Sequence, residues 1–415
     1  MKTNNSPANI LFVHNNNDLY GADAFLLEII KRLDRTCFHP IVVLPADVRH
    51  INRLSVELEK NGIEYRFLRM GVIRRKYFRP FRILQYIADL LMGVLSLVRL
   101  IHRRRVAVVH SNTITVTAGA LAAFLTRTPH LWHIHEIVVN PASMRRALHW
   151  LVPRMSRVVV CVSEAVRNHI AADHPSRAHK LQVIHVGIDA ERFSAKAEGE
   201  RIRAEFGIDQ EAALVGMVGK VCRWKGQLVF ASAARRVLER FPQTHFLAVG
   251  GVFDKERHYM DRFRSEVQRL GIAHAFHIAD FRRDIRDVMA AFDVYVLPST
   301  QPDPCPAVVL EAMAAGKPVI ATAHGGPVEI VVHGETGYLV PPNDAEELAA
   351  RINELLETPH VRKAFGEAAR RRVQQHFHIR RFMIEIESLY AELSNLHRAA
   401  PRTEPELEAE AQLHK

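Results

Sequence analysis

Twelve short apolar or β-branched runs, each five to eight residues long, alternate with helix-like stretches along most of this chain. A strand that is apolar along its whole length must be covered on both faces, and parallel neighbours need crossover helices that supply the cover. Six runs (10–14, 40–45, 106–111, 130–135, 157–163 and 181–186) fall in the first half, with helix-like stretches such as 24–33, 81–104 and 115–125 between them. Six more (213–219, 244–251, 275–279, 293–299, 317–322 and 336–341) repeat the grammar in the second half. The fold class is therefore α/β, with two domains that are each a parallel sheet between helices. The junction falls near 187–200, where GIDAERFSAKAEGE loses apolar periodicity and becomes small and charged. A last helix is expected over 379–396, and the polar, Pro-containing stretch 397–415 reads as a frayed tail. The partition is thus 1–190, 191–378, 379–396 and 397–415.

Composition narrows the classes of function. With 415 residues, 48% hydrophobic and 24% charged, the chain can bury large cores, which excludes disordered and fibrous classes. Cys37, Cys161, Cys222 and Cys305 form no Cys-x-x-Cys pair and are too sparse for a disulfide framework, so a reducing cytoplasm is expected. The opening MKTNNSPANILFVHNNN has one apolar run of four residues among asparagines and does not read as a secretory signal. No stretch has the roughly 18 uninterrupted apolar residues of a spanning helix. The nearest, 81–101, is broken by Arg82, Asp89 and Arg99.

The 56 Lys and Arg exceed the 45 Asp and Glu by 11, and most of that excess lies in residues 66–105, where eleven basic residues face the single acid Asp89. In the same segment Arg82, Gln85, Asp89, Gly93, Ser96, Arg99 and Arg103 recur at helical spacing, a narrow polar stripe beside a broad apolar face. One reading is an anionic membrane surface, to which each basic residue adds about 1 kcal/mol. Another is a solvated basic rim on a mostly buried helix. No nucleic-acid partner is expected, because the patch is confined to one segment and carries no recognition-module signature.

Open parallel sheets bind ligands at the carboxyl ends of their strands, so the residues after each run are the ones to inspect. After the first run, Gly21 opens a helix and either serves a turn or lets backbone N–H groups approach a phosphate. After 130–135 stand His133, His135 and Glu136, the two histidines sharing a face, as structural residues or as functional ones. In VGMVGKVCRWKGQ, Gly219, Lys220, Arg223 and Lys225 share one strand-to-helix turn that suits a diphosphate or a solvated basic loop; it is not a Walker A loop. Asp303 precedes a helix that begins near Ala307 and Val308, with Glu311 in its second turn. Asp303 is a helix cap or a site acid. Glu311 is a surface acid or, among apolar neighbours, a carboxylate in need of a partner such as a sugar hydroxyl. Glycine turns follow at 324–326 and 334–337.

Taken together these residues resemble family 4 of the retaining, nucleotide-sugar-dependent glycosyltransferases with the GT-B fold, a family that builds bacterial surface polysaccharides, lipopolysaccharide included. The likeness runs from about residue 9 to 393. It is specific in VGKVCRWKGQ, DIRDVMAAFDVYVLPST, DPCPAVVLEAMAAGKPVIAT and GETGYLVPPND, and looser in YGADAFLLEI, WHIHE and VVCVSEAV. The resemblance implies two Rossmann-like domains facing a cleft, with the last helix crossing back onto the first domain. It further implies that Gly21 approaches the donor phosphates, that His135 lies near the transferred sugar, and that Lys220 and Lys225 hold the diphosphate with Arg223 beside them. Glu311 matches the second acid of the family's Glu-x7-Glu pair, bound to the ribose, and Asp303 stands at the first. On this reading His135 and Asp303 are catalytic, whereas Gly21, Lys220, Arg223, Lys225, Ala307, Val308 and Glu311 bind the donor.

The chain also departs from the family. Lys220 replaces an arginine, Asp303 a glutamate, and Tyr20 the first glycine of a pair; Pro306 stands where a glycine would donate its N–H. These changes imply an altered sugar pocket. No cofactor or metal is expected, only a nucleoside-diphosphate sugar as co-substrate. Retention is expected to proceed by front-face displacement, because no acid is an obvious nucleophile. The expected enzyme is a cytoplasmic hexosyltransferase, peripheral on the inner face of the plasma membrane, whose acceptor is a glycan or a lipid-linked glycan. The alternatives are a sugar-nucleotide epimerase of the same fold and an inactive nucleotide-binding scaffold.

Overall fold

The computed structural model describes residues 6–74, 77, 81–194, 198–252 and 256–394. Two compact units emerge. One holds the residues up to Val186 and, again, those from Arg380 onward; the other is Gly187–Ile379.

The first unit is built on a seven-stranded sheet of β1 (Ala8–His14), β2 (Phe38–Pro45), β3 (Glu64–Leu68), β4 (Val106–Asn112), β5 (His130–Ile134), β6 (Val158–Cys161) and β7 (Leu181–Val183). Their order is β3-β2-β1-β4-β5-β6-β7, and every pairing is parallel. Ile10, Leu11, Phe12 and Val13 are all buried, as a strand covered on both faces requires. The second unit carries β8 (Leu214–Val218), β9 (His245–Val249), β10 (Phe276–Ala279), β11 (Val294–Leu297), β12 (Val319–Thr322) and β13 (Gly337–Val340). Its order is β10-β9-β8-β11-β12-β13, again all parallel. Both sheets reverse direction of winding beside their first strand, between β1 and β4 and between β8 and β11. Such a switch point leaves a crevice at the carboxyl ends of the two strands where ligands settle.

The last helix, Ile379–Leu393, packs into the first unit. Tyr390 is fully buried against the rings of Phe12 and Phe38, and its hydroxyl meets His110 Nδ1 at 2.6 Å. The chain enters and leaves the second unit through hydrogen-bonded neighbours, Ile188 N–H donating to Phe377 O and Ile379 N–H to Ile188 O, each at 2.9 Å.

Two features were not anticipated from the sequence. β3 was absent from the runs, and it is an edge strand whose Glu64 and Arg66 interrupt the apolar pattern. The polar stripe of the helix Arg82–Arg104 is not its wet side throughout. Asp89 and Gly93 are buried, the former held by Arg69 at 2.9 Å and the latter against Met70, while Leu84, Ile87, Leu91 and Leu95 stand in the open. Contact at Gly93 is so close that a Cβ there would come within 2.7 Å of Met70 Cβ. By length and composition this helix, interrupted or not, is apolar enough to cross a membrane. Of the eleven basic residues in 66–105, Arg66, Arg69, Arg74 and Arg104 pair with Glu64, Asp89 or Asp47. Arg82, Arg99, Arg103 and Arg105 are exposed, and Arg75, Lys76 and Arg79 lie outside the described residues, as does 397–415.

Candidate functional site

In the second unit the switch point gathers the turn after β8 and the segment after β11. Trp224 O accepts the Thr300 N–H at 2.7 Å, and Lys225 Nζ is paired with Asp303 Oδ2. Gly226 opens the helix Gln227–Arg240 with φ 82°, and a Cβ there would lie 1.8 Å from Pro298 O. Only glycine lets these two segments touch. Lys220 is half-buried and Arg223 exposed, and Lys225 is paired with Asp303. Asp303 is in turn fixed by its backbone: Asp303 O accepts Gly326 N–H at 2.7 Å, which docks the glycine turn 324–326 beside it.

The helix Ala307–Ala314 follows, with Pro306 as its N-cap and no side-chain cap. The N–H groups of Ala307 and Val308 therefore present the positive end of the helix dipole without a side-chain acceptor. One turn on, Glu311 is partly exposed, and no hydrogen bond or ion pair engages its carboxylate among the described residues. Burial raises its pKa to about 7, with Arg192 pulling the other way. A carboxylate so placed accepts hydroxyl donors readily, because its desolvation is already spent on the free protein. Ser299, two residues past β11, is buried with its Oγ unpartnered among the described residues and was not singled out from the sequence.

In the first unit Gly21 adopts φ 48° and ψ −112°, open only to glycine, immediately before the helix Ala22–Arg32. Asp23, in the first turn of that helix, meets His14 Nε2 at 2.5 Å through Oδ1 and accepts Tyr20 N–H at 3.3 Å through Oδ2. Asn112, which ends β4, lies 3.0 Å from His14 Nδ1 and 2.9 Å from His135 Nε2. His135 follows β5, its ring stacked on Phe25 and 4.1 Å from His133 between centroids. Burial holds His135, His133 and His110 well below the usual imidazole range, and their mutual proximity reinforces it. Beside them Glu136 accepts the N–H groups of Ile114 and His135, each at 3.1 Å. Burial nonetheless carries its pKa to about 7. The sequence reading found His135 and Gly21 but not His14, Asp23 or Asn112. His14 and Asn112 each end a strand, so the strand-end rule that selected His135 applies to them equally.

No group of three or more His, Cys, Asp or Glu is arranged to hold a metal ion among the described residues.

Residues 198–372 match the family described as Glycosyl transferases group 1, and residues 21–192 match Glycosyltransferase Family 4. The alpha-maltose-1-phosphate synthase of Mycolicibacterium smegmatis is 30% identical over 306 residues, covering 67% of this chain and 78% of that relative. The chain belongs to family 4 of the group 1 glycosyltransferases. The capsular polysaccharide biosynthesis glycosyltransferase CapM of Staphylococcus aureus is similar at 21% identity, over 72% of this chain and 80% of its own. Among solved structures, Anabaena HepE in complex with UDP and glucose aligns with a TM-score of 0.81 and 27% identity, over 93% of this chain and 100% of that one. Sucrose-phosphate synthase from Thermosynechococcus elongatus shares the fold, with a TM-score of 0.76 at 20% identity. Two Rossmann-like domains of the GT-B type, expected from the sequence, are thus what the glycosyltransferase has, and it moves a sugar from a nucleotide sugar.

Proposed function

We propose that this glycosyltransferase takes a hexose from a UDP-sugar and transfers it, with retention, to a glycan or lipid-linked glycan at the cytoplasmic face of a membrane. The observation that carries the donor half is Glu311, a carboxylate without a partner among the described residues, one turn below the uncapped N–H groups of Ala307 and Val308. Acid and amides at that spacing suit the two ends of a nucleoside diphosphate, hydroxyls on the acid and phosphate on the amides. Lys220 and Arg223 supply cations for the charge that accumulates on the departing diphosphate. Lys225 orients Asp303 by ion pairing, and the two act as one unit. UDP is preferred among bases because HepE, solved with UDP and glucose, is 27% identical over nearly the whole chain. In the first unit Gly21 and His135 keep the roles that the family resemblance implies, at the phosphates and at the sugar.

Retention is assigned to front-face displacement, the leaving phosphate taking the acceptor's proton, without a metal ion. The membrane half rests on the open row Leu84, Ile87, Leu91 and Leu95 with Arg82, Arg99 and Arg103 on the same helix, an apolar ridge fringed by cations. The likeness to CapM supports a polysaccharide acceptor.

The test is thermal stability against UDP, GDP, ADP and CDP and their glucose conjugates, in buffer containing EDTA, for the native protein and Glu311→Ala. A ligand at about 100 times its Kd stabilises by roughly 2.7 kcal/mol. Selective stabilisation by UDP and UDP-glucose, lost in Glu311→Ala, is expected. Equal response to all four nucleotides, or an undiminished response in the variant, refutes the assignment.

A further inference from the structure

Four side chains of the first unit form one hydrogen-bonded line from the glycine loop to His135, and the acceptor-only groups along it leave little freedom in where the protons sit. Asn112 is the pivot. One atom of its amide lies 3.2 Å from the carbonyl oxygen of Ala22, which can only accept, so that atom is the nitrogen. The same nitrogen reaches His14 Nδ1 at 3.0 Å and leaves the amide oxygen facing His135 Nε2 at 2.9 Å. An oxygen there requires Nε2 to carry the proton. At the other end Asp23 Oδ2 is occupied by the N–H groups of Tyr20 and Asn16, and Oδ1 takes the proton of His14 Nε2 at 2.5 Å. His14 Nδ1 is then free to accept from Asn112, and the longer 3.3 Å approach of Nδ1 to the Asn112 carbonyl is the weaker contact. His14, Asp23 and Asn112 are all buried, so water does not compete for these bonds.

We propose that Asp23, His14 and Asn112 are positioning residues that hold His135 as its neutral Nε2–H tautomer, with Nδ1 kept as a hydrogen-bond acceptor for a hydroxyl of the transferred sugar. Among the described residues Nδ1 of His135 bonds to nothing, and it is not one of the buried unpartnered atoms. Stacking on Phe25 at an interplanar angle of 15° fixes the plane of the ring, so tautomer and direction are set together. Since Asp23 also accepts the Tyr20 N–H next to Gly21, the glycine loop and the sugar-facing histidine are parts of a single hydrogen-bonded assembly. The sugar contact rests on the donor reading above, whereas the tautomer does not.

The experiment combines a spectrum with kinetics. In long-range proton–nitrogen spectra of histidine-labelled protein without ligand, His135, assigned by loss of its signal in His135→Asn, is expected to show protonated Nε2 and unprotonated Nδ1. Asn112→Ala should replace that pattern with exchange averaging and lower kcat about tenfold or more, with donor KM changed little. Asp23→Asn, which preserves shape and guards against a folding defect, should do the same to a smaller extent. A proton on Nδ1 of His135 in the native protein overturns the proposal. The expected spectrum with undiminished kcat in both variants leaves the line of bonds intact but overturns the contact with the sugar, and with it the role of the first unit in the donor reading.

Discussion

The two candidate residue clusters, one in each unit, follow opposite designs. In the first unit the polar groups on the line to His135 engage one another, His14 with Asp23 and Asn112 with both histidines, and Glu136 holds two backbone N–H groups, although both ring nitrogens of His133 and Nε2 of His110 are buried without a hydrogen-bond partner among the described residues. In the second unit Arg223 is exposed, the first amides of the helix Ala307–Ala314 lack a side-chain cap and Glu311 has no partner among the described residues. A finished network defines direction and admits little variation, as suits a contact with one hydroxyl. Unfinished charges suit a polyanion that must bind and then leave. The lesson is that preorganisation and vacancy are separate devices, and here each belongs to a different folding unit.

The sharpest way to break that contrast is to remove two cations from the turn of the second unit. Lys220→Ala combined with Arg223→Ala should lower kcat/KM by about 10²–10³-fold, the scale of a lost transition-state donor, with the melting temperature nearly unchanged. A drop of less than about tenfold in steady-state assays would mean that the amides carry the diphosphate alone.

A finer comparison uses the two glutamates with pKa near 7, one in each unit. Burial raises each from an ordinary 4.5, so between about 4.5 and about 7 the folded chain keeps a proton that the unfolded chain has released. Each carboxyl therefore lowers stability progressively as pH climbs through that window. Glu311→Gln and Glu136→Gln should both raise Tm more at about pH 8 than at about pH 5, by calorimetry. Only Glu311→Gln should also weaken UDP binding and abolish its tightening as pH rises through about 7, as read by titration calorimetry. Weakened and pH-flattened binding in Glu136→Gln would erase the distinction between the units.

The smallest expected effect concerns the acceptor. Replacing Leu84 and Leu91 with Asp should reduce co-sedimentation with vesicles containing phosphatidylserine several-fold, since each exposed apolar side chain contributes only about 1–2 kcal/mol. Activity on a water-soluble acceptor should be unaffected, and unchanged sedimentation would remove the membrane from the proposal.

These designs also explain what the sequence disclosed. Lys220, Arg223, Lys225, Asp303 and Glu311 lie in two strand–turn–helix segments, where spacing along the chain is nearly spacing in the fold. The assembly around His135 draws on residues 14, 23, 112 and 135, from three strand ends and a helix, and no local pattern contains it. The inward turn of Asp89 was not legible for a related reason. Periodicity identifies a face of a helix but not which way it points, and here Arg69 supplies the partner that lets an acid turn inward. β3 escaped because edge strands tolerate charge at positions that central strands do not.

The buried Tyr390 has a consequence for how this protein is made. The second unit is one continuous stretch, Gly187–Ile379, and has everything it needs as soon as that stretch leaves the ribosome. The first unit begins earlier and finishes later, because the ring that seals Phe12 and Phe38 is among the last described residues to be synthesised. Strands β1–β7 must therefore wait through the synthesis of an entire domain with an apolar seam uncovered. A nascent chain stalled before the last helix would expose that seam, and exposed apolar surface of this kind is what makes partly made chains prone to aggregate.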